Sequence, residues 1–252
     1  MPVGTNLQSM VRGFKRALCL VCALGVGFAG AARGSGSVFI DNFNAVPPSP
    51  LWTGDTGTDG QWTVQFTGYG RIGEETDQDG LVPALAVSPA PADATTAPQP
   101  PYPSPWLSDH AALVTSGPSF GDSTLNVRER TVTQLRTGQA PNAWEVGWVL
   151  WHYTDNTHFY YLLLKPNGWE LGKEDPAYPG NQRFLATGGG TFAVGTWHSV
   201  SVSQIGNQIT ASADGNQLVT FVDTERPYLS GSVGLYSEDA YVHFARVAVS
   251  LP

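Results

Sequence analysis

The segment from Trp144 to Lys173 concentrates the residue types that could bind or cleave a sugar. It contains two carboxylates, Glu145 and Glu170, together with Lys165 and many aromatic side chains. Aromatic rings offer apolar area to the C–H faces of pyranose sugars, and charged groups hydrogen-bond the sugar hydroxyls. Hydrolysis of a glycosidic bond requires two carboxyl groups about 5 to 9 Å apart. The chemistry available to this segment therefore depends on which side chains share a face.

Three consecutive antiparallel strands are predicted in this segment, over residues 144–153, 158–165 and 169–173. Turn-forming residues separate them, first Thr154-Asp155-Asn156-Thr157 and then Pro166-Asn167-Gly168. The first two strands are apolar at nearly every position, so both of their faces should be covered. We therefore expect them to be central strands of a two-layer β structure.

The rest of the chain shows the same β character, with 29 glycines, 19 prolines and no sustained helical periodicity. Further strands are predicted over residues 38–43, 61–72, 111–115, 123–136, 182–187, 197–204, 207–213, 217–223, 232–237 and 241–249. Short strands at close spacing with glycine-rich turns predict an all-β fold, a two-sheet antiparallel β-sandwich of the jelly-roll type.

Residues 83–105 carry eight prolines and no strand periodicity. We interpret this stretch as a surface loop of polyproline character inserted between strands, because the residues before it are too few to fold alone. A segment that docks onto a partner protein is the alternative, since polyproline stretches are preformed ligands.

Residues 1–31 have the three parts of a cleaved secretory signal peptide. Basic residues precede the apolar core 17–28, which is too short to span a bilayer, and Ala29-Gly30-Ala31 supplies a small-residue cleavage site. Residues 32–37 are then a short linker, and residues 38–252 are expected to form a single domain.

Cleavage would leave an acidic chain without cysteine. The formal net charge of −8 becomes −11 when three basic residues are removed, and Cys19 and Cys22 are the only two cysteines. Disulfides, zinc–thiolate sites and cysteine nucleophiles are therefore excluded from the mature chain. The charge argues against binding to nucleic acid or to an anionic membrane. We expect a secreted monomer, extracellular or periplasmic, with no membrane contact after signal cleavage.

The C-terminal half carries an ordered series of short motifs. They are Gly147-Trp-Val-Leu-Trp, Phe159-Tyr-Tyr-Leu-Leu-Leu, Pro166-Asn-Gly, Gly195-Thr-Trp, Gly206-Asn-Gln-Ile-Thr-Ala-Ser-Ala-Asp-Gly, Gly231-Ser-Val-Gly-Leu and Val242-His-Phe-Ala-Arg-Val. The series resembles the concanavalin A-like lectin/glucanase superfamily, in particular its laminin-G-like domains. Within that group it is most similar to secreted bacterial domains of the 3-keto-disaccharide hydrolase-like or family-16-like type. The resemblance implies a jelly roll, whereas lectins, binding modules, glycosidases and lyases all occur in this superfamily.

Two departures from the family pattern bear on function. The Glu-x-Asp-x-x-Glu signature of the family-16 glucanases is absent, because the segment that begins at Glu145 lacks the second and third acids. Ala245 stands where the last strand of such domains often carries an aspartate that serves a structural calcium ion. We expect no cofactor other than such a calcium ion, to which Asp41 could still contribute. Glu238 and Asp239, together with Glu225-Arg226, form either a solvated rim or an oxygen-rich cation site.

The strand register of the family assigns the side chains to two faces. It implies that Trp148, Leu150, Tyr160, Leu162 and Leu164 fill the space between the sheets. It further implies that the opposite, concave face carries Glu145, Trp151, Tyr153, Tyr161, Lys165 and Glu170. A two-residue turn at Asn167-Gly168 would place Lys165 opposite Glu170, and the preceding strand would add Arg128 and Arg130 to the concave face.

This face predicts a glycan-binding groove. Trp151, Tyr153, Tyr161, Lys165, Arg128 and Arg130 are its candidate sugar-binding residues, and Glu145 and Glu170 are its candidate catalytic pair. Lys165 would keep one carboxylate ionised while burial raises the pKa of the other. A lyase would instead use Tyr161 or His152 as the base, with Arg128 neutralising a uronate. A non-catalytic lectin-like or surface-interaction module is the alternative to an enzyme, and the charged residues could also be only a cross-strand charge ladder.

Overall fold

The chain forms two antiparallel β-sheets that enclose one hydrophobic core, as seen in a computed structural model that describes residues 36–44, 51, 53–55, 61–77, 82–90 and 110–252. The strands are β1 (Ser37–Asp41), β2 (Trp62–Phe66), β3 (Arg71–Thr76), β4 (Pro83–Ser88), β5 (Ala111–Phe120), β6 (Ser123–Gln134), β7 (Gly147–Asp155), β8 (His158–Lys165), β9 (Gly168–Glu174), β10 (Gln182–Gly188), β11 (His198–Ile205), β12 (Gln208–Ala213), β13 (Asn216–Val222), β14 (Gly231–Glu238) and β15 (Ala240–Ser250). A 3₁₀ turn, Pro179–Asn181, precedes β10. The predicted all-β sandwich is confirmed.

The two sheets contain eight and seven strands. The eight-stranded sheet has the order β13-β12-β11-β6-β15-β4-β3, with β1 also paired to β15. The seven-stranded sheet has the order β10-β9-β8-β7-β14-β5-β2. The meander β7-β8-β9 predicted from the sequence therefore lies within the second sheet and supplies its central strands.

Alternate apolar residues of both sheets form the core between them. Val127 of β6 and Val247 of β15 face Val149 and Leu162 of the meander within one buried cluster. Full burial of a side chain of this size contributes about 1.5–3 kcal/mol relative to exposure. Burial of every second side chain of each strand thus stabilises the packing of the two sheets.

The β12–β13 hairpin follows its turn sequence. Ala213 pairs with Asn216 across the two residues Asp214 and Gly215, whose φ angles are 51° and 79°. Positive φ at both central residues is the type I′ geometry that an Asp-Gly pair favours. The predicted strands 207–213 and 217–223 thus form a hairpin whose Asp-Gly turn has the geometry that its sequence favours.

The prediction of a continuous loop over residues 83–105 is wrong at its start. Pro83–Ser88 is strand β4, which pairs with both β3 and β15. Leu85 and Val87 point into the core, and Pro83 occupies the first strand position, where proline is tolerated. Residues 91–109 lie outside the described residues.

The turn between β8 and β9 differs from the predicted one by one residue. Lys165 pairs with Gly168, so Pro166 and Asn167 form the turn, and Leu163 is the residue opposite Glu170. Gly168 belongs to the strand, and a Cβ atom there would lie 2.2 Å from the Gly188 carbonyl oxygen. The close approach of β10 therefore requires glycine at this position.

The predicted faces of β7 are reversed. Val149 and Trp151 point into the inter-sheet core, whereas Trp148 and Leu150 lie on the outer face of the seven-stranded sheet. The Trp151 indole donates a hydrogen bond of 2.7 Å to Gln204 of the other sheet. Both faces of this strand are apolar, so the sequence pattern does not show which face points toward the other sheet. For β8 the prediction was right, since Tyr160, Leu162 and Leu164 are in the inter-sheet core.

A buried ion pair joins β9 to the segment after β13. Lys173 is 0% exposed, and its ammonium group donates hydrogen bonds to Asp223 at 2.8 Å and to the carbonyls of Glu225 at 2.5 Å and Arg226 at 3.2 Å. Asp223 also accepts a 2.7 Å hydrogen bond from the Tyr160 hydroxyl. Burial alone would raise the pKa of Asp223, but the hydrogen bonds from Lys173 and Tyr160 outweigh it and hold that pKa below its usual value.

The predicted signal peptide, residues 1–31, lies outside the described residues. Among the described residues, no helix has the length and hydropathy needed to cross a bilayer.

Candidate functional site

A groove of about 540 Å³ runs across the outer face of the seven-stranded sheet. Its lining is Phe66, Leu113, Trp144, Trp148, Leu150, Asn156, Phe159, Glu170, Glu174, Gln182, Phe184, Tyr236 and Glu238. Phe184 and Trp144 stand at its edges and are 59% and 44% exposed. The volume and the mixture of aromatic and carboxylate groups are typical of a small-ligand site.

The groove is built from cross-strand rows of the sheet. One row runs Leu113–Tyr236–Trp148–Leu163–Glu170 through β5, β14, β7, β8 and β9. The next row runs Leu150–Tyr161–Gly172–Phe184. The Trp148 ring lies between two tyrosines, with centroid distances of 4.8 Å to Tyr161 and 5.1 Å to Tyr236. These packed rings give the groove a rigid aromatic floor.

Glu170 is held in place by a lysine and a tyrosine. The Lys165 ammonium lies 2.9 Å from one Glu170 oxygen, and the Tyr161 hydroxyl donates to the other at 3.1 Å. Gln182 donates a 2.9 Å hydrogen bond to the same hydroxyl. Burial, followed by the nearby Glu170 charge, raises the pKa of Tyr161 well above its usual value, so Tyr161 serves as a neutral donor.

Glu174 lies on the same strand and the same face as Glu170, but in a different environment. It pairs in register with Phe159 and Gln182, and both of these residues line the groove. Desolvation by burial raises the pKa of Glu174 to about 7. The groove therefore holds one carboxylate beside an ammonium group and a second that is half protonated near neutral pH.

Gly172 makes room for the tyrosine between these two acids. A Cβ atom at this position would lie 2.2 Å from both the Cζ and hydroxyl atoms of Tyr161, which is fully buried. Any larger residue would displace the ring that positions the Glu170 carboxylate.

Gly172→Ala should lower the free energy of unfolding by about 1–3 kcal/mol, because the added methyl group overpacks against Tyr161. Urea denaturation monitored by tryptophan fluorescence measures this loss. Gly189→Ala is the matched control, since a Cβ atom there meets nothing within 4 Å. Equal stability of the two variants would show that Tyr161 can move freely.

The structure brings four of the predicted site residues to this face. Tyr161, Lys165 and Glu170 form the hydrogen-bonded group described above. Tyr153 lies beside Phe159 at a ring distance of 5.8 Å and donates a 2.7 Å hydrogen bond to Asn156. Trp151 is 4% exposed in the inter-sheet core and cannot contact a ligand on this face.

Glu145 does not face Glu170, so the predicted geometry of this catalytic pair is wrong. The Glu145 side chain is 0% exposed and accepts hydrogen bonds from Arg136 at 2.5 Å and Asn142 at 2.6 Å. Arg136 also donates to Asp239 at 3.1 Å. Glu145 precedes β7 and lies outside the groove lining, where its ion pair has a structural role.

Arg128 and Arg130 belong to the other sheet, so their predicted place beside Lys165 is wrong. Both are on β6, which pairs with β11 and β15, and their inward neighbour Val127 belongs to the inter-sheet core. The two arginines therefore point away from the core on the opposite outer surface. The sequence places β6 before β7 but does not reveal that the chain changes sheet between them.

His152, the alternative lyase base, is also outside the groove. It is 2% exposed, and its ring nitrogens contact the carbonyl oxygens of Tyr228 at 2.8 Å and Gly121 at 3.2 Å. Burial lowers the pKa of His152.

Sequence reasoning missed most of the aromatic lining and the second acid. Glu174 follows a strand that was predicted to end at residue 173, although its spacing of four from Glu170 already places both acids on one face. Phe184 and Tyr236 lie on predicted strands, but only the order of strands in the sheet brings them beside Trp148 and Gly172.

Calcium binding remains a prediction. Both oxygens of the Asp41 carboxylate accept hydrogen bonds, from the Phe43 amide and the Trp62 indole, each at 2.7 Å. Asp239, one of the predicted rim acids, is fully buried, whereas Glu225 pairs with Arg183 at 3.0 Å.

Comparison with solved structures identifies the architecture. Carbohydrate-binding module CBM66 from Bacillus subtilis matches with a TM-score of 0.53 at 14% identity over 80% of this chain and 99% of that one. The likeness shows the fold, which is a concanavalin A-like jelly roll. No protein-family model matches this jelly roll, and no curated protein matches it by sequence.

Two further solved jelly rolls show the same likeness. SCLam, a non-specific endo-β-1,3(4)-glucanase from family GH16, has a TM-score of 0.52 at 11% identity, over 85% of this chain and 90% of that one. A structure from work on the endo-acting O-glycanases that gut bacteria use to initiate mucin breakdown has a TM-score of 0.54 at 13% identity. It covers 86% of this chain and 100% of that chain.

Proposed function

We propose that this protein binds a glycan in the groove on the outer face of its seven-stranded sheet. The observation that carries the proposal is the joint presence of an aromatic floor, exposed rings at the edges and hydrogen-bonded carboxylates in one groove. Aromatic rings pack against the C–H faces of a sugar, and carboxylates and amides form hydrogen bonds with its hydroxyls. The superfamily fold and its carbohydrate-binding and carbohydrate-cleaving neighbours support this proposal.

The charges of the groove favour an uncharged glycan. Glu170, Glu174 and Glu238 line it, and the lysine at its edge is already paired with Glu170. A uronate would meet carboxylates instead of arginines, so the lyase interpretation has no support from the residues on this face.

Phe184→Ala should weaken glycan binding at least tenfold. Phe184 is exposed and pairs with Gly172, so its removal deletes a sugar-stacking surface and leaves the core unchanged. A glycan array with the purified chain identifies a ligand, and isothermal titration calorimetry then compares the variants.

Tyr69→Asn is the matched control, because Tyr69 is 90% exposed and lies outside the groove lining. Asparagine tolerates the positive φ of 60° at that position. Equal loss of binding in both variants, or an array without any bound glycan, would reject the proposed function.

Hydrolysis of the bound glycan is a second candidate function, favoured by the different environments of Glu170 and Glu174. A glycosidase needs a protonated acid and an ionised base or nucleophile. Burial raises the pKa of Glu174 to about 7, which suits the role of general acid. The Lys165 ammonium beside Glu170 suits the role of ionised base or nucleophile.

The spacing of these acids is compatible with that role. Four residues along a strand separate the two Cα atoms by about 13 Å. One Glu170 oxygen accepts the hydrogen bond of the Tyr161 hydroxyl on the Gly172 side, and the other contacts Lys165 on the Gly168 side. Hydrolysis therefore requires the Glu174 side chain to incline toward Glu170, so that the two carboxyl groups come within the range of about 5–9.5 Å that glycosidases use.

We also propose that residues 1–31 direct export, so that the mature chain meets its glycan outside the cytoplasm. This proposal rests on the basic, apolar and small-residue parts of that segment.

A further inference from the structure

The outer face of the eight-stranded sheet carries two arginines side by side. Arg128 of β6 and Arg246 of β15 are direct partners in the register of the two strands, and both side chains are exposed. Like charges at directly opposite positions of a sheet are destabilising when nothing neutralises them. The chain has more carboxylates than cations, yet these two arginines lie next to each other, and their arrangement requires an explanation.

No carboxylate of the described residues pairs with either arginine. The Arg128 guanidinium stacks over the Trp197 ring at 4.7 Å and makes no ion pair or hydrogen bond within the described part of the chain. Arg246 likewise has no such partner there. Asp214 lies beside Ser199, and its carboxylate accepts a hydrogen bond from the Ser199 amide and contacts the His198 ring, each at 2.8 Å.

A shallow trough of short polar side chains lies between these arginines and β12. One row across the sheet is Ser199–Arg128–Arg246, and the next is Ser212–Ser201–Asn126–Ala248. All seven residues line one surface cavity. The long side chains of the first row stand beside the short side chains of the second, which leaves space for a ligand next to both guanidinium groups.

We propose that Arg128 and Arg246 form a binding site for an oxyanion, namely a sulfate ester or carboxylate of an acidic polysaccharide. Guanidinium groups donate paired, charge-assisted hydrogen bonds to such anions, and the bound charge removes the repulsion between the two arginines. The serine and asparagine side chains both donate and accept hydrogen bonds, as the hydroxyls of an adjoining sugar require. This site is on the opposite sheet from the groove and does not depend on the function proposed there.

The test compares two double variants that remove the same charge. Arg128→Gln/Arg246→Gln should lose at least tenfold in affinity for dextran sulfate or polygalacturonate, measured by calorimetry at fixed salt. Arg71→Gln/Arg226→Gln should bind like the wild type, because each of these exposed arginines is already paired with a carboxylate. Neutral dextran is the ligand control, and the two acidic polymers distinguish sulfate from carboxylate recognition.

Thermal unfolding tests the same site without an acidic glycan. At low salt, the site variant should unfold at the same or a higher temperature than the wild type, because a repulsive contact has been removed. Sodium sulfate should raise the unfolding temperature of the wild type by more than that of the site variant. Equal sulfate responses would show only general salting effects and overturn the site. Equal affinity losses in both double variants, or binding to anionic lipid vesicles but to neither acidic polymer, would also overturn it.

Discussion

Lys173→Met should lower the free energy of unfolding by about 3–5 kcal/mol, the loss expected when one partner of a buried ion pair is removed. The substitution keeps the length of the side chain but removes the 2.8 Å ammonium partner of the buried Asp223 carboxylate, whose contact to Arg183 is longer, at 3.4 Å. Two backbone carbonyls, those of Glu225 and Arg226, lose a donor at the same time. Chemical denaturation at neutral pH, followed by tryptophan fluorescence, measures the change.

Arg226→Met is the matched control for this prediction. Arg226 pairs with Asp175 at 3.0 Å, but its side chain is 54% exposed, so water can replace the lost contact. A double variant, Lys173→Met/Asp223→Asn, should lose less stability than the sum of its single variants because the two groups share one interaction. A loss for Lys173→Met no greater than that for Arg226→Met would contradict the assignment.

The same ion pair predicts a dependence on pH. Asp223 has a folded-state pKa below its unfolded value, so its contribution is present above the unfolded pKa and disappears as pH falls through the folded one. The stability difference between the wild type and Asp223→Asn should therefore shrink in strong acid.

Glu174→Gln should reduce hydrolysis of the bound glycan by about 100-fold or more while leaving affinity nearly unchanged. A positioned general acid contributes about 10²–10⁴-fold to rate, and glutamine keeps the shape but cannot supply the proton. Because burial raises the pKa of Glu174 to about 7, wild-type kcat should fall as pH rises above that value. Reducing-end release from the glycan found on the array, measured between pH 5 and 9, tests both statements.

Glu238→Gln is the control within the same groove. Glu238 also lines the site and accepts a 3.0 Å hydrogen bond from Tyr236, but it lies on β14, away from Glu170. An equal loss of hydrolysis in both variants would contradict the assignment of Glu174 as the general acid. A glycan that binds and yields no product with the wild type would leave the binding function and reject the hydrolase.

The groove shows where prediction from the sequence reached its limit. Glu170, Lys165 and Tyr161 were placed together correctly because a short turn joins β8 to β9 and thereby determines which of their side chains share a face. Trp151 was assigned to the wrong face because β7 is apolar on both sides, which leaves its orientation to the packing of the other sheet. Arg128 was assigned to the wrong surface because strand order in a sheet is not a local property.

Local patterns in the sequence determined the strands, the β12–β13 hairpin, the meander and the all-β class, since these depend on residues close together in the chain. Tertiary structure decided which face of β7 points between the two sheets, that Glu145 lies outside the groove and which sheet carries the arginines. These outcomes depend on contacts between strands that are distant in sequence, such as the contact of Trp151 with Gln204. The order of strands in the sheet therefore determines which side chains meet in the groove. The residues of the individual strands and turns are sufficient to predict the layered fold that supports it.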